Sequence, residues 1–161
     1  MAKLEECQFI QIKIDGKALT GTSEESEYQG WMEGYASGGL QAYSGTDGVV
    51  FDAINVSLLM TPGCGSLLEA YLRRGYKNID CTVVTRSSDK FGGTYESLKI
   101  EYTDTEFQYV TFEQSEGRLF LCTSVIVRGT VRVTMQVPND KDTGLEKVGP
   151  ICYDIAAKKL I

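Results

Sequence analysis

Residues 130–137 read TVRVTMQV, an alternation of polar or charged residues with valine and methionine. Because successive side chains of a β-strand point to opposite faces, this pattern predicts a strand with one apolar and one polar face. The predicted apolar face comprises Val131, Val133, Met135 and Val137. The stretch therefore indicates a sheet that covers a core on one side.

The same alternation recurs along most of the chain. Ile10, Ile12 and Ile14 are separated by single polar residues. Further segments rich in Val, Ile, Thr, Tyr and Phe, with turn residues between them, are predicted strands at 79–86, 95–102, 106–114 and 119–128. Strands at this spacing are typical of antiparallel neighbours. We predict a mainly β fold, an antiparallel β-barrel or sandwich, as a single domain over residues 1–161.

One segment breaks the alternation and predicts a short flanking α-helix over about 66–74. Ser66 and Glu69 have the spacing of a capping box. Arg73 and Arg74 would complement the helix dipole in the last turn, and Gly75 would end the helix. The predicted apolar face comprises Leu67, Leu68, Tyr71 and Leu72.

Residues 37–48 read SGGLQAYSGTDG, which is too long and glycine-rich for a tight hairpin. Burial of Leu40 and Tyr43 on another surface would be favourable, which argues against plain disorder. We therefore predict an extended loop that docks as an arm on a neighbouring subunit or ring. The candidate subunit-contact residues are Gly38, Gly39, Leu40, Tyr43 and Gly45.

The composition narrows the classes of function. The chain has no His, which removes the commonest general base and metal ligand and leaves carboxylate or Lys chemistry. The acids at 24–27 and 140–142 stand in polar stretches, which favours solvated turns over a catalytic or calcium site. The net charge of −6 opposes nucleic-acid binding. We predict no catalytic, metal or cofactor site, no nucleic-acid partner, and a protein that is not an enzyme.

Two short motifs have both a structural and a ligand-binding interpretation. The sequence at 63–65, Gly-Cys-Gly before the predicted helix, is similar to a phosphate-binding turn but lacks the further residues of a dinucleotide or P-loop motif. Trp31 could stack on a ligand, yet an aromatic residue in a short strand is more often part of a core. The structural interpretation is favoured for both.

The cysteines and the apolar runs bear on the cellular compartment. Five cysteines, at positions 7, 64, 81, 122 and 152, include no C-x-x-C pair, which predicts free thiols in a reducing cytoplasm. The longest apolar run, 54–60, is too short for a membrane helix. Glu5 and Glu6 stand where a secretory signal would be apolar, so we expect no membrane insertion and no signal-peptide route.

The order of these motifs resembles the haemolysin-coregulated protein (Hcp) family, the inner-tube subunits of type VI secretion systems. The resemblance begins near Phe9 and extends to the C-terminus. Its segments are the opening strand at 9–16, the Trp-bearing strand at 30–35, the glycine-rich arm, 50–54 leading to Thr61-Pro62, the helix with the turn at 75–77, the strand at 95–104, and the closing Cys152-Tyr153-Asp154-Ile155. The chain departs from the family at Gly21-Thr22-Ser23 and at Cys152.

The resemblance implies a homo-hexameric ring, with rings stacked into a tube that carries small effectors. The implied partners are a spike protein and a contractile sheath. The implied location is the cytoplasm of a Gram-negative bacterium during assembly, followed by secretion through the type VI route. Two alternatives remain open: a monomeric small-ligand-binding β-barrel of lipocalin type, and a carboxylate-based enzyme.

Overall fold

The computed structural model describes residues 8–36, 40–46, 48–73, 78–88, 93–139 and 144–161. It contains thirteen strands and, within these residues, a single α-helix, α1. The bounds are β1 Gln8–Ile14, β2 Lys17–Ala18, β3 Met32–Ala36, β4 Ala42–Gly45, β5 Gly48–Phe51, β6 Ile54–Leu59, α1 Cys64–Leu72, β7 Ile79–Ser88, β8 Thr94–Tyr102, β9 Thr105–Ser115, β10 Arg118–Val127, β11 Thr130–Pro138, β12 Leu145–Asp154 and β13 Lys159–Leu160. Among the described residues, no helix is long and apolar enough to cross a membrane.

Eleven strands form one antiparallel sheet in the order β13-β12-β11-β8-β7-β1-β3-β6-β10-β9, with β2 paired to β1. The strands β4 and β5 pair with each other as a separate two-stranded sheet. The long sheet curls, so that the Thr105 hydroxyl at the start of β9 donates to the Ile79 carbonyl of β7. The predicted class, an antiparallel β-barrel or sandwich with one short flanking helix, is confirmed.

The core follows the alternation expected from the sequence. Ile10 and Ile12 of β1 lie opposite Val83 and Cys81 of β7, and all four side chains are buried in one hydrophobic cluster. In β11 the alternation is only partly realised, because the strand extends past the edge of the core. Val131 is buried, whereas Val137 near the end of the strand is 42% exposed.

The helix differs from its prediction in three respects. It begins at Cys64 and ends at Leu72, and Gly63 caps it without a side-chain hydrogen bond, so the predicted capping box does not form. Its buried face comprises Cys64, Leu67 and Ala70, whereas Leu72 is 67% exposed. The earlier start agrees with the preceding turn, because the carbonyls of Thr61, Pro62 and Gly63 accept hydrogen bonds from the amides of Cys64, Gly65 and Ser66. Arg74 and Gly75 lie outside the described residues.

Burial gives Cys81 a pH-dependent role in stability. Burial, reinforced by the nearby Asp80 carboxylate, raises the pKa of the Cys81 thiol from 9.0 to about 12. Because the unfolded chain releases this proton first, the free energy of unfolding should fall as the pH rises through this window. Between pH 8 and 11 we expect Cys81→Ala to lose roughly 2 to 3 kcal/mol less stability than the parent protein. Urea unfolding at both pH values measures this, and equal losses would contradict it.

Candidate subunit-contact surfaces

The segment predicted as an extended loop contains a tight β-hairpin, so the interpretation as a long loop was wrong. Tyr43 pairs with Val50, and Gly45 pairs with Gly48 at the turn. Gly45 allows the close pairing, since a Cβ there would lie 2.7 Å from a Val50 methyl group. Gly48 has a φ of +125°, which favours glycine. The glycines that suggested an irregular loop therefore shape the turn of a hairpin.

The β4–β5 hairpin projects from the sheet and is attached at its base. Within the described residues its strands pair only with each other. The Asp52 amide donates to the Gln41 carbonyl, and the Phe51 ring packs against Tyr153 of β12, with ring centroids 5.4 Å apart. The base is thus fixed to the barrel, while the tip has no backing from the main core.

The hairpin exposes apolar side chains on both of its faces. Tyr43 and Val50 lie opposite each other and are 58% and 40% exposed. Val49 on the other face is 48% exposed, and Leu40 just before the hairpin is 36% exposed. The sequence analysis identified Leu40 and Tyr43 but missed the two valines. The signal was present, because adjacent valines in a strand point to opposite faces and a two-stranded sheet cannot bury both.

The predicted contact residues are therefore only partly assembled by the structure. Tyr43 and Gly45 lie in β4, and Leu40 lies just before it. Gly38 and Gly39 lie outside the described residues. A role in subunit contacts stays a prediction for all five.

The two end strands of the long sheet provide further surfaces. In β12 the outer edge is paired with β13 only at Tyr153 and Asp154. Val148 and Ile151 of β12 lie opposite Met135 and Val133 and are 38% and 46% exposed. This β12 edge surface continues the apolar face of the core beyond the part that the barrel covers.

At the other end of the sheet, β9 pairs with β10 and leaves its outer edge without a strand among the described residues. Phe112 of β9 and Leu119 of β10 are 55% and 46% exposed. The sequence of β9 contains neither Pro nor Lys, whereas β12 contains Lys147 and Pro150, residues that discourage edge pairing. β9 therefore lacks these edge-protecting residues, whereas β12 carries them.

A cavity of about 380 Å³ lies between α1 and the segment at 17–20. The Thr61 hydroxyl donates to the Thr20 carbonyl, and Gly63 approaches the same carbonyl so closely that a Cβ would lie 2.6 Å from it. The residues that line this cavity include Ile14, Lys17, Leu19, Ser66, Ala70 and Arg73. The cavity thus has an apolar part and two cationic side chains, and we call it the α1 cavity.

The glycine-rich turn before α1 is not arranged to bind an anion. The amide of Cys64 donates to the Thr61 carbonyl, Gly65 donates to Pro62, and Ser66 donates to Gly63. The first amides of the helix are therefore already satisfied. The structural interpretation of this motif agrees with the geometry.

Trp31 belongs to a packed aromatic cluster. It contacts the Tyr28 ring edge-on, and Tyr28 stacks on Phe9 with centroids 4.5 Å apart. The Arg86 guanidinium lies 5.0 Å from the Phe9 ring centroid and forms an ion pair with Glu25 at 3.5 Å. Burial, and then the hydrogen bond to Glu96, raise the pKa of Tyr28. The cluster fastens residues 21–31 to the barrel, and one of the predicted solvated acids, Glu25, contributes to it.

The metal-ligating residue types and the cysteines are dispersed among the described residues. No group of three or more potential metal-ligating side chains occurs in the part of the chain that the structure describes. Cys64, Cys81, Cys122 and Cys152 are free, while Cys7 and residues 140–143 lie outside the described ranges. The surfaces described above present exposed apolar side chains.

The fold and these surfaces define an antiparallel β-barrel with a projecting hairpin and a flanking helix. This is the fold of the Hcp proteins. The crystal structure of Hcp1 from Salmonella typhimurium is 18% identical to this chain, with a TM-score of 0.69 over 96% of this chain and 99% of that one. A structure described as a type six secretion system protein is 12% identical, with a TM-score of 0.73 over 95% and 99% of the two chains.

A further similar structure is described as a type VI secretion system effector from Yersinia pestis. It is 19% identical to this chain, with a TM-score of 0.60 over 90% of this chain and 98% of that one. No protein-family model and no curated protein sequence matches the chain. The resemblance predicted from the order of motifs is therefore confirmed at the level of the fold.

Proposed function

We propose that this protein is a structural tube subunit of a type VI secretion system, which forms hexameric rings that stack into a tube. The observation that carries the proposal is the fold, which matches a type six secretion system protein over 95% of this chain and 99% of that one. The proposed partners are other copies of this chain, a spike protein, a contractile sheath and small effectors carried in the lumen. The protein would assemble in the cytoplasm and leave by the type VI route.

The positions of the exposed surfaces support self-association. β9 is one end of the sheet, and near the other end β12 is covered by β13 only at Tyr153 and Asp154. Exposed apolar side chains lie beside both the β9 edge and the β12 edge. If the β9 edge of one copy contacts the β12 edge of the next, the contact is head-to-tail. Such contacts close into a ring when the rotation between copies allows it. We assign these two edges to the contacts between neighbours in a ring.

The interior supports a structural role over a ligand-binding barrel. The largest side chains of the main core with essentially no exposure include Ile10, Ile12, Met32, Leu58 and Leu121. A barrel that encloses a ligand would leave its interior open, whereas here side chains of the described strands occupy it. This supports the subunit proposal and favours a role without catalysis.

Solution mass tests the proposal. We expect light scattering to give about 107 kDa, six times the subunit mass of 17.8 kDa, and negative-stain microscopy to show rings. A second variant tests the assigned edges. It carries Phe112→Lys and Ile151→Lys, which place a positive charge beside each edge and should lower the mass towards one subunit. A mass of one subunit for the parent protein at every micromolar concentration, without rings, would contradict the proposal.

A further inference from the structure

The α1 cavity has an apolar floor and a polar rim. Ala70 on the floor is buried, and Ile14 and Leu19 beside it are half-buried and pack against the main core. The rim consists of exposed side chains, namely Lys17, Ser66, Glu69 and Arg73. The volume of about 380 Å³ lies at the small end of the range of roughly 300 to 1,000 Å³ that is typical of small-molecule sites. The cavity therefore has the size of a site for a small organic molecule.

Hydrogen bonds hold the two walls of the cavity in place. The Leu19 amide donates to the Ile12 carbonyl of β1 at 2.9 Å. The Thr61 hydroxyl, in the turn before α1, donates to the Thr20 carbonyl at 3.1 Å. The wall opposite α1 is thus tied both to the barrel and to the start of the helix. Because the walls are already ordered, a ligand would not have to order them on binding.

The rim of the cavity differs in charge from the chain as a whole. The chain has 22 acidic and 16 basic residues, whereas the rim has two basic residues, Lys17 and Arg73, and one acidic residue, Glu69. Within the described residues the Lys17 side chain forms no ion pair or hydrogen bond. Arg73 and Glu69 are 3.9 Å apart and both highly exposed, so their pairing is weak. Both cationic groups are therefore available to a bound anion.

We propose that the α1 cavity binds a small organic anion, with one carboxylate or sulfonate group and a compact apolar body. The apolar body lies on Ile14, Leu19 and Ala70, where its burial is favourable. The acidic group lies between Lys17 and Arg73, which can both donate charge-assisted hydrogen bonds to it. The inference goes beyond the proposed function and does not depend on it, because a single copy of the chain provides the whole site.

Titration calorimetry of the full chain with 2-naphthoate tests the proposal. The matched ligand is 2-naphthamide, which has the same aromatic body without the charge. We expect saturable binding of 2-naphthoate and an affinity at least about fivefold higher than that of 2-naphthamide, because only the carboxylate uses the cationic rim. Equal affinities of the two ligands, or no binding of 2-naphthoate at millimolar concentration, would overturn the inference.

Variants of the rim locate the site. Lys17→Gln with Arg73→Gln should weaken the binding of 2-naphthoate about five- to tenfold and leave that of 2-naphthamide unchanged. Glu69→Gln should strengthen the binding of 2-naphthoate about twofold, because it removes the acid from the rim. The matched control is Lys158→Gln with Lys159→Gln, which removes two exposed charges that do not line the cavity. Circular dichroism checks that every variant is folded.

The control decides between this site and general attraction to a charged surface. An equal loss of affinity in the rim variant and in the control would overturn the assignment to the α1 cavity. Binding and assembly are also separate outcomes. Selective binding of 2-naphthoate by a chain with the mass of one subunit would support the inference and contradict the proposed function. Rings that do not prefer 2-naphthoate to 2-naphthamide would contradict the inference alone.

Discussion

Replacing Leu40 and Tyr43 together by Ser is expected to abolish or greatly weaken assembly between copies while leaving the barrel folded. Both side chains are exposed, at 36% and 58%, and neither belongs to the main core. Burial of such side chains at an interface contributes on the order of 2 kcal/mol each, and a symmetric assembly repeats the loss at every contact. Small local losses therefore become a large loss of assembly.

Two measurements separate this effect from destabilisation. The length and number of tubes seen by negative-stain microscopy should fall sharply, while the melting temperature of the unassembled chain should change little. Leu72→Ser is the matched control, since Leu72 is 67% exposed on α1 and is not part of the hairpin. If the double variant assembles like the parent protein at every concentration, the hairpin is not a docking element.

The strands could be predicted because their signal is local. Segments predicted at 79–86 and 106–114 appear as Ile79–Ser88 and Thr105–Ser115. In each of them, branched and aromatic residues alternate and turn residues stand on both sides. The burial of individual residues was less predictable, because it depends on where the core ends. Val137 and Leu72 satisfy their local patterns and are nevertheless exposed.

The surfaces were harder to predict than the strands. Residues 42–48 were interpreted as part of a loop because of their glycines, although Gly45 and Gly48 serve the turn of a hairpin. The α1 cavity could not be predicted at all, because Lys17 and Arg73 are distant in the sequence. The hydrogen bond from Thr61 to the Thr20 carbonyl and the approach of Gly63 to the same carbonyl bring their segments together. Such surfaces depend on tertiary contacts that a single sequence does not reveal.

Gly34→Ala is expected to destabilise the fold more than any surface change. Gly34 is buried in β3, the strand that joins β1 to β6 and so connects the two halves of the sheet. A Cβ at Gly34 would lie 2.1 Å from the Ser57 carbonyl oxygen of β6, a backbone atom that cannot move without displacing the strand. We expect a loss of about 3 kcal/mol in the free energy of unfolding, or about 10 °C in Tm.

Gly65→Ala is the matched control for the loss of a glycine. Gly65 lies in α1, and a Cβ there would meet nothing within 4 Å, so the helix should gain about 0.5 kcal/mol from the replacement. Thermal unfolding of both variants should therefore move in opposite directions. Because β3 leads directly to the hairpin, Gly34→Ala should also reduce assembly at temperatures where the barrel is still folded. A Gly34→Ala variant with the same free energy of unfolding as the parent would contradict the prediction, because it would mean that β3 and β6 accommodate the added methyl group.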